Sequence, residues 1–131
     1  MPIAAHLLLH TGQLPHRAAA AQQLLASCTL CPRQCRVNRL VGESGFCRTG
    51  ARARIASYGP HYGEESPLVG QHGSGAIFFA GCNLGCCFCQ NFEISQGDVV
   101  CEEVSAAELA AIMLELQNTG CHNINLVTPS H

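Results

Sequence analysis

Apolar and polar positions fall into two regimes along this chain. Ala76-Ile77-Phe78-Phe79-Ala80 is a continuous apolar run bounded by glycines, the pattern of a strand buried on both faces. Further on, Leu109, Ile112, Met113 and Leu116 recur at i, i+3, i+4 and i+7, which marks one apolar face of a helix. Ser105 and Glu108 match a capping box and predict where that helix starts, and Gly120 is placed to end it. Asn123–Thr128 reads as a second strand, stopped by Pro129. Strand, helix and strand in that order predict a βαβ unit with a parallel pair. Upstream, Arg17–Ser27 consists of helix formers and predicts a short helix. Arg52–Tyr58 predicts a short strand. Residues 59–75, rich in Gly and Pro, read as loop. Residues 81–104 also read as loop, of a length that usually carries function inside a compact domain. Residues 1–16 are expected to be ordered only in part.

Length sharpens this picture. With 131 residues the chain can bury one modest core but cannot complete an eight-unit barrel, which takes about 250 residues. An apolar fraction of 47% with only 12% charged residues excludes a disordered chain. No apolar run approaches the roughly 18 residues of a membrane span. There is no lysine, and all seven arginines lie in residues 1–54, where Glu43 is the only acid. The other eight acids lie in residues 55–131. Two halves that attract each other are the expectation. A basic surface for nucleic acid is not, because no compact arginine run with interleaved aromatics is present.

Ten cysteines in so short a chain pose a question of compartment. No Lys or Arg precedes Arg17, and His6 breaks the apolar run Ile3–Leu9, so no export signal is legible. Leu25-Ala26-Ser27-Cys28 has the form of a lipoprotein box, but Arg17, Gln22 and Gln23 do not suit a membrane-inserting segment. The expectation is a cytoplasmic protein, not bound to a membrane, whose cysteines bind metal in preference to forming disulfides.

Cys82, Cys86 and Cys89 make a CxxxCxxC spacing directly after the buried strand, at the end where parallel α/β folds build their sites. Three thiolates on one loop can hold three irons of a [4Fe–4S] cluster and leave the fourth open. A structural zinc site is the alternative, with Cys87 or Cys101 as fourth ligand. Cys87 is expected to be a buried thiol, and Cys101 and Cys121 to be core residues.

These residues carry a resemblance. Gly81-Cys82-Asn83-Leu84-x-Cys86-x-Phe88-Cys89 after an apolar strand resembles the signature of the radical S-adenosylmethionine (SAM) enzymes. The nearer resemblance is to the uncharacterised iron–sulfur branch related to pyruvate formate-lyase activating enzymes. Cys28-x-x-Cys31-Pro32-Arg33-x-Cys35, Gly42-Glu43-x-Gly45-x-Cys47, Gly73-Ser74-Gly75 and Asn123–Pro129 extend it over the chain from about residue 20. The resemblance implies that Cys82, Cys86 and Cys89 ligate a [4Fe–4S] cluster, that SAM chelates its fourth iron, and that Phe88 contacts the adenine. It implies reductive cleavage of SAM to a 5′-deoxyadenosyl radical that abstracts hydrogen from a substrate, for example a glycine on a protein to be activated. A flavodoxin- or ferredoxin-like protein is the implied electron donor. Where many relatives have Gly-Gly-Glu to hold the amino group of SAM, this chain has Thr128-Pro129-Ser130-His131. The Thr128 and Ser130 hydroxyls or backbone carbonyls are the expected substitutes, and His131 is a weaker candidate proton donor. A non-catalytic zinc or iron–sulfur module and an electron-transfer protein are the alternative functions.

Cys28, Cys31, Cys35 and Cys47 form a second set. Zinc, a second iron–sulfur cluster and disulfides all fit its spacing. Arg36 and Arg39 beside it read as solvated surface, with offsetting of thiolate charge as the alternative. None of the histidines has an acidic partner in sequence, so no catalytic histidine is expected. The predicted organisation is a helix and Cys-rich metal lobe over residues 1–72, followed by the start of a radical SAM-type (β/α) barrel over residues 73–131. A barrel needs about four more βα units of roughly 30 residues each, so the chain is expected to be an N-terminal fragment.

Overall fold

A computed structural model of the chain describes residues 9–130. The expectations for His6 and for His131 lie outside the described residues. The protein is mixed α/β with one four-stranded sheet.

Helix α1 spans Gln13–Gln23 and tightens into a 3₁₀ turn over Leu24–Ser27. It starts one turn before the predicted Arg17, because Gly12 in the left-handed region (φ 67°) turns the chain into it and Pro15 is tolerated in a first turn. None of its residues is buried, and Leu25 just after it is. Residues 28–52 contain one regular piece, a 3₁₀ turn at Arg39–Val41. There the Asn38 side chain accepts from the Leu40 N–H (3.1 Å) and the Glu43 carboxylate accepts from the Asn38 N–H (2.6 Å).

The sheet comprises β1 (Ala53–His61), β2 (Ser74–Phe79), β3 (Glu102–Val104) and β4 (Ile124–Val127), in the order β3-β1-β2-β4. Short helices α2 (Ser66–Val69) and α3 (Phe92–Ser95) punctuate the two stretches read as loop. Helix α4 (Ala106–Asn118) carries the predicted capping box, with Ser105 and Glu108 satisfying each other's amides. The βαβ unit is present: β2 and β4 pair in parallel from Gly75↔Ile124 to Phe78↔Val127, with α4 between them in sequence. β1 pairs antiparallel with both β2 and β3. The boundary expected at residue 72 therefore falls between two strands of one sheet.

The core is Ile55, Ile77, Phe79, Val104 and Leu116, with Leu109, Ile112 and Met113 of α4 packed against it. The helix face read from the sequence is thus the face that covers the sheet. Gly75 is where β2, β4 and α4 converge: a Cβ there would stand 2.9 Å from the Asn123 carbonyl oxygen and 3.2 Å from Leu116 Cβ. No helix among the described residues is long and apolar enough to cross a membrane.

Candidate functional site

The cysteine loop leaves the C-terminal end of β2, at Phe79. Backbone bonds fix its root: Ala80 N–H donates to Arg54 O and Gly81 N–H to Ile94 O, both at 2.8 Å. Gly81 has φ 83°, and a Cβ there would collide with the Cys47 carbonyl oxygen, so only glycine fits. Cys82 Sγ accepts from the Leu84 N–H (3.4 Å), and Gln96 Nε2 donates to the Cys86 carbonyl (3.3 Å). Cys89 Sγ lies 3.3 Å from the hydroxyl of Ser95, a buried residue of α3. Cys82, Cys86 and Cys89 are all partly exposed, and Phe88 is 84% exposed. Cys87 is exposed, which corrects the expectation of a buried thiol: it lies in an irregular segment with no strand or helix to pack it into the core.

Arginines of the first half hold this loop, mostly by its carbonyl oxygens. Arg33 donates to Asn83 O (2.5 Å) and Leu84 O (3.0 Å), with its guanidinium 3.4 Å from the centroid of the Phe46 ring. Arg48 bonds the Gln96 and Gly97 carbonyls and pairs with Asp98 at 3.1 Å. Arg52 pairs with Glu108 (2.8 Å), and Arg54 donates to Cys101 Sγ (3.1 Å). The attraction between basic and acidic halves read from the sequence is thus realised. Cys101 is partly buried on this arginine, and Cys121 packs at the margin of the core. The end of β4 arrives beside the loop root: Thr128 has φ 61°, and the Ser130 hydroxyl donates to Gly81 O at 3.5 Å.

In the N-terminal set, three thiols gather round one side chain. Arg39 Nη2 stands 3.2 Å from Cys47 Sγ and 4.0 Å from Cys35 Sγ, and its charge also acts on the Cys28 thiol. Its Nη1 donates to the Thr49 carbonyl. Arg39 is 3% exposed, which corrects its reading as solvated surface; Arg36 is exposed as expected. The signal for Arg39 was its place between Cys35 and Cys47. Burial pushes the Cys28 thiol up, but the Leu30 amide and the Arg39 guanidinium outweigh it, so the thiol lies below its ordinary range. Burial likewise works against the Arg39 charge, and its bonds to Cys28 and Cys47 reverse that effect. Cys31 sits in the adjoining turn, its carbonyl accepting from the Gln34 N–H at 3.0 Å. None of the ten cysteines, all of them among the described residues, is in a disulfide. As the side chains stand, no three Cys, His, Asp or Glu groups among the described residues are close enough together to hold an ion. The described histidines are exposed.

The chain is similar to an uncharacterized protein of Methanocaldococcus jannaschii, at 43% identity over 76 residues. That stretch is 58% of this chain and 21% of the relative, so the chain spans about a fifth of the relative's length. No protein-family model matches the chain. No solved structure matches it.

Proposed function

We propose that the chain carries the cluster-binding centre of a radical SAM enzyme, with Cys82, Cys86 and Cys89 as ligands of a [4Fe–4S] cluster. The observation that supports this most is the position of the CxxxCxxC loop: it leaves the C-terminal end of β2, whose parallel partner β4 is reached through α4. The donor set fits. Three partly exposed thiols outside any disulfide lie on one loop, and soft sulfur donors suit iron. In this reading the parallel pair β2 and β4 with α4 is the first part of a (β/α) barrel, and β1 and β3, which run antiparallel, are an addition at its edge.

When bound, the group supplies one electron to the sulfonium of SAM, releasing methionine and a 5′-deoxyadenosyl radical for hydrogen abstraction. The chain's own residues do the positioning. Arg33 and Arg48 fix the loop by its carbonyls. Phe88 offers an exposed aromatic face to the adenine. The Ser130 hydroxyl and the backbone at Thr128 lie where β4 meets the loop root, a place for polar contacts to the amino acid part of SAM. A glycine of a protein substrate, a flavodoxin- or ferredoxin-like donor and a reducing cytoplasmic setting belong to the same proposal.

The test is anaerobic reconstitution with iron and sulfide, reduction, and chromatography for 5′-deoxyadenosine. SAM-dependent product that disappears in Cys82→Ala, Cys86→Ala or Cys89→Ala is the expected result. A second reading, a fully thiolate-ligated zinc or electron-transfer centre, is favoured by one observation: Cys87, exposed on the same loop, offers a fourth thiol. It predicts a metal centre indifferent to SAM and lost in Cys87→Ser.

A further inference from the structure

Four of the seven arginines line one cavity of about 460 Å³, where the lobe meets the β3 side of the sheet. They are Arg39, Arg48, Arg52 and Arg54, and Glu103 of β3 is the one acid on the same wall. The chain path gathers them. Arg39 lies in the 3₁₀ turn, Arg48 has a left-handed backbone (φ 56°), and Arg52 and Arg54 flank Ala53 at the start of β1. Gly42 and Gly50 also belong to the wall, and a Cβ at either would meet nothing within 4 Å, so the cavity is open on their side.

The protein itself cancels little of this charge. Arg48 pairs with Asp98 and Arg52 with Glu108, but all four side chains are about half exposed or more, where ion pairs are weak. Arg54 donates to Cys101 Sγ (3.1 Å) and to the Arg48 carbonyl (2.9 Å). Arg39 donates to the Thr49 carbonyl and lies against the sulfurs of Cys47 and Cys35. Neither Arg39 nor Arg54 is in an ion pair with a carboxylate among the described residues. A second observation is independent of this balance. Arg39 is buried and still reaches the cavity wall, and its Nε is a buried donor without a hydrogen-bond partner. A buried donor of this kind calls for an acceptor.

We infer that this cavity binds the phosphate group of a small hydroxylated molecule, of the sugar-phosphate class. Guanidinium forks match phosphate oxygens two at a time, and several converge here. Glu103 lies opposite Arg54 in the β1–β3 pair and takes part in neither ion pair. A carboxylate repels a bare phosphate but accepts hydrogen bonds from hydroxyl groups, so it selects a ligand that carries both. The volume is that of a site for a small molecule and exceeds what one inorganic ion fills. The inference stands independently of the reading of the Cys82 loop.

Isothermal titration calorimetry of the whole chain tests it, with ribose 5-phosphate and inorganic phosphate as probes. One ribose 5-phosphate per chain is expected, competing with a more weakly bound inorganic phosphate. Arg52→Gln and Arg54→Gln should each weaken both probes by about 10-fold or more, the size of one charge-assisted hydrogen bond. Glu103→Gln should weaken ribose 5-phosphate and not inorganic phosphate, a split that a merely repulsive or structural Glu103 would not give. Arg36→Gln removes the same charge from an exposed position outside the cavity, and at physiological salt should change neither affinity by more than about 2-fold. Protected β2 amides in hydrogen exchange are the folding control for every variant. Four results would each overturn the inference. These are no stoichiometric binding of either probe, binding that survives both Arg52→Gln and Arg54→Gln, tighter binding of both probes in Glu103→Gln, or equal losses in Arg36→Gln and Arg54→Gln. A single-stranded oligonucleotide that binds more tightly than ribose 5-phosphate and loses affinity equally in those last two variants would instead mark a diffuse nucleic-acid surface.

Discussion

In the sheet half, Ile55, Ile77, Phe79, Val104 and Leu116 form an apolar core between four strands and α4. In the lobe over residues 28–52, the interior is two thiols, a guanidinium and a threonine. The first kind of interior is held by burial, which is non-directional and indifferent to redox state. The second is held by directional N–H···S and N–H···O bonds whose strength depends on the state of the sulfur. The two meet at the cysteine loop: Arg33, Phe46 and the Cys47 carbonyl belong to the lobe, and Asn83, Leu84, Gly85 and Gly81 to the loop. The two interiors therefore answer to different stresses: a change in the state of the sulfurs acts on the interior of the lobe, and loss of apolar burial acts on the sheet. Heat and denaturant act on the sheet.

The largest expected effect comes from removing the charge inside the lobe. Arg39→Met leaves its thiol partners without their cation and should cost about 3–5 kcal/mol locally, the usual price of breaking a buried pair. Hydrogen exchange should rise across residues 28–50 while the β2 amides stay protected. Loss of protection throughout would erase the comparison. On the sheet side, Ile77→Ala opens a cavity at a fully buried site and should cost about 2–5 kcal/mol in urea unfolding followed by circular dichroism. That loss should be global.

At the junction, Gly81→Ala places a Cβ against the Cys47 carbonyl at φ 83°. The left-handed backbone alone should cost about 1–2 kcal/mol. The readout that sharpens the comparison is faster alkylation of Cys82, Cys86 and Cys89, because the loop root must shift away from the lobe. Smallest is the helix cap, where Ser105→Ala should cost about 1 kcal/mol by thermal unfolding. Its partner Glu108 is held below the usual carboxylate range, chiefly by the Ser105 amide and hydroxyl. A lowered folded value means that its contribution is present above the ordinary carboxylate range and is lost as pH falls through that lower value. Wild type should therefore lose this increment in acid, and Glu108→Gln should show a weaker acid dependence.

Legibility followed the physics of each element. β2 was readable because a strand buried on both faces is apolar at every position, and α4 because capping and periodicity agree. The parallel pairing of β2 and β4 followed from their connection. β3 was missed: it has three residues, two of them exposed glutamates, and only its register against Ala53–Ile55 makes it a strand. β1 runs three residues past its predicted end, through Gly59, Pro60 and His61. Proline is accepted there because β3 covers only the first part of β1 and leaves that side of Pro60 outside the ladder. The cysteine spacing located the candidate loop. What spacing could not show was Arg33 and Arg48 clamping that loop from about 50 residues away, nor that Arg39 lies inside the lobe. Contacts between segments distant in sequence leave no periodic trace.

The proposed centre is a cluster held by Cys82, Cys86 and Cys89 with an iron open to SAM. Its most direct measurement is electron paramagnetic resonance of the anaerobically reconstituted, reduced chain, recorded before and after SAM is added. The expected result is a [4Fe–4S] signal whose shape changes with SAM and which Cys82→Ala removes, while Cys28→Ser leaves it in place. A signal that SAM does not alter would contradict it.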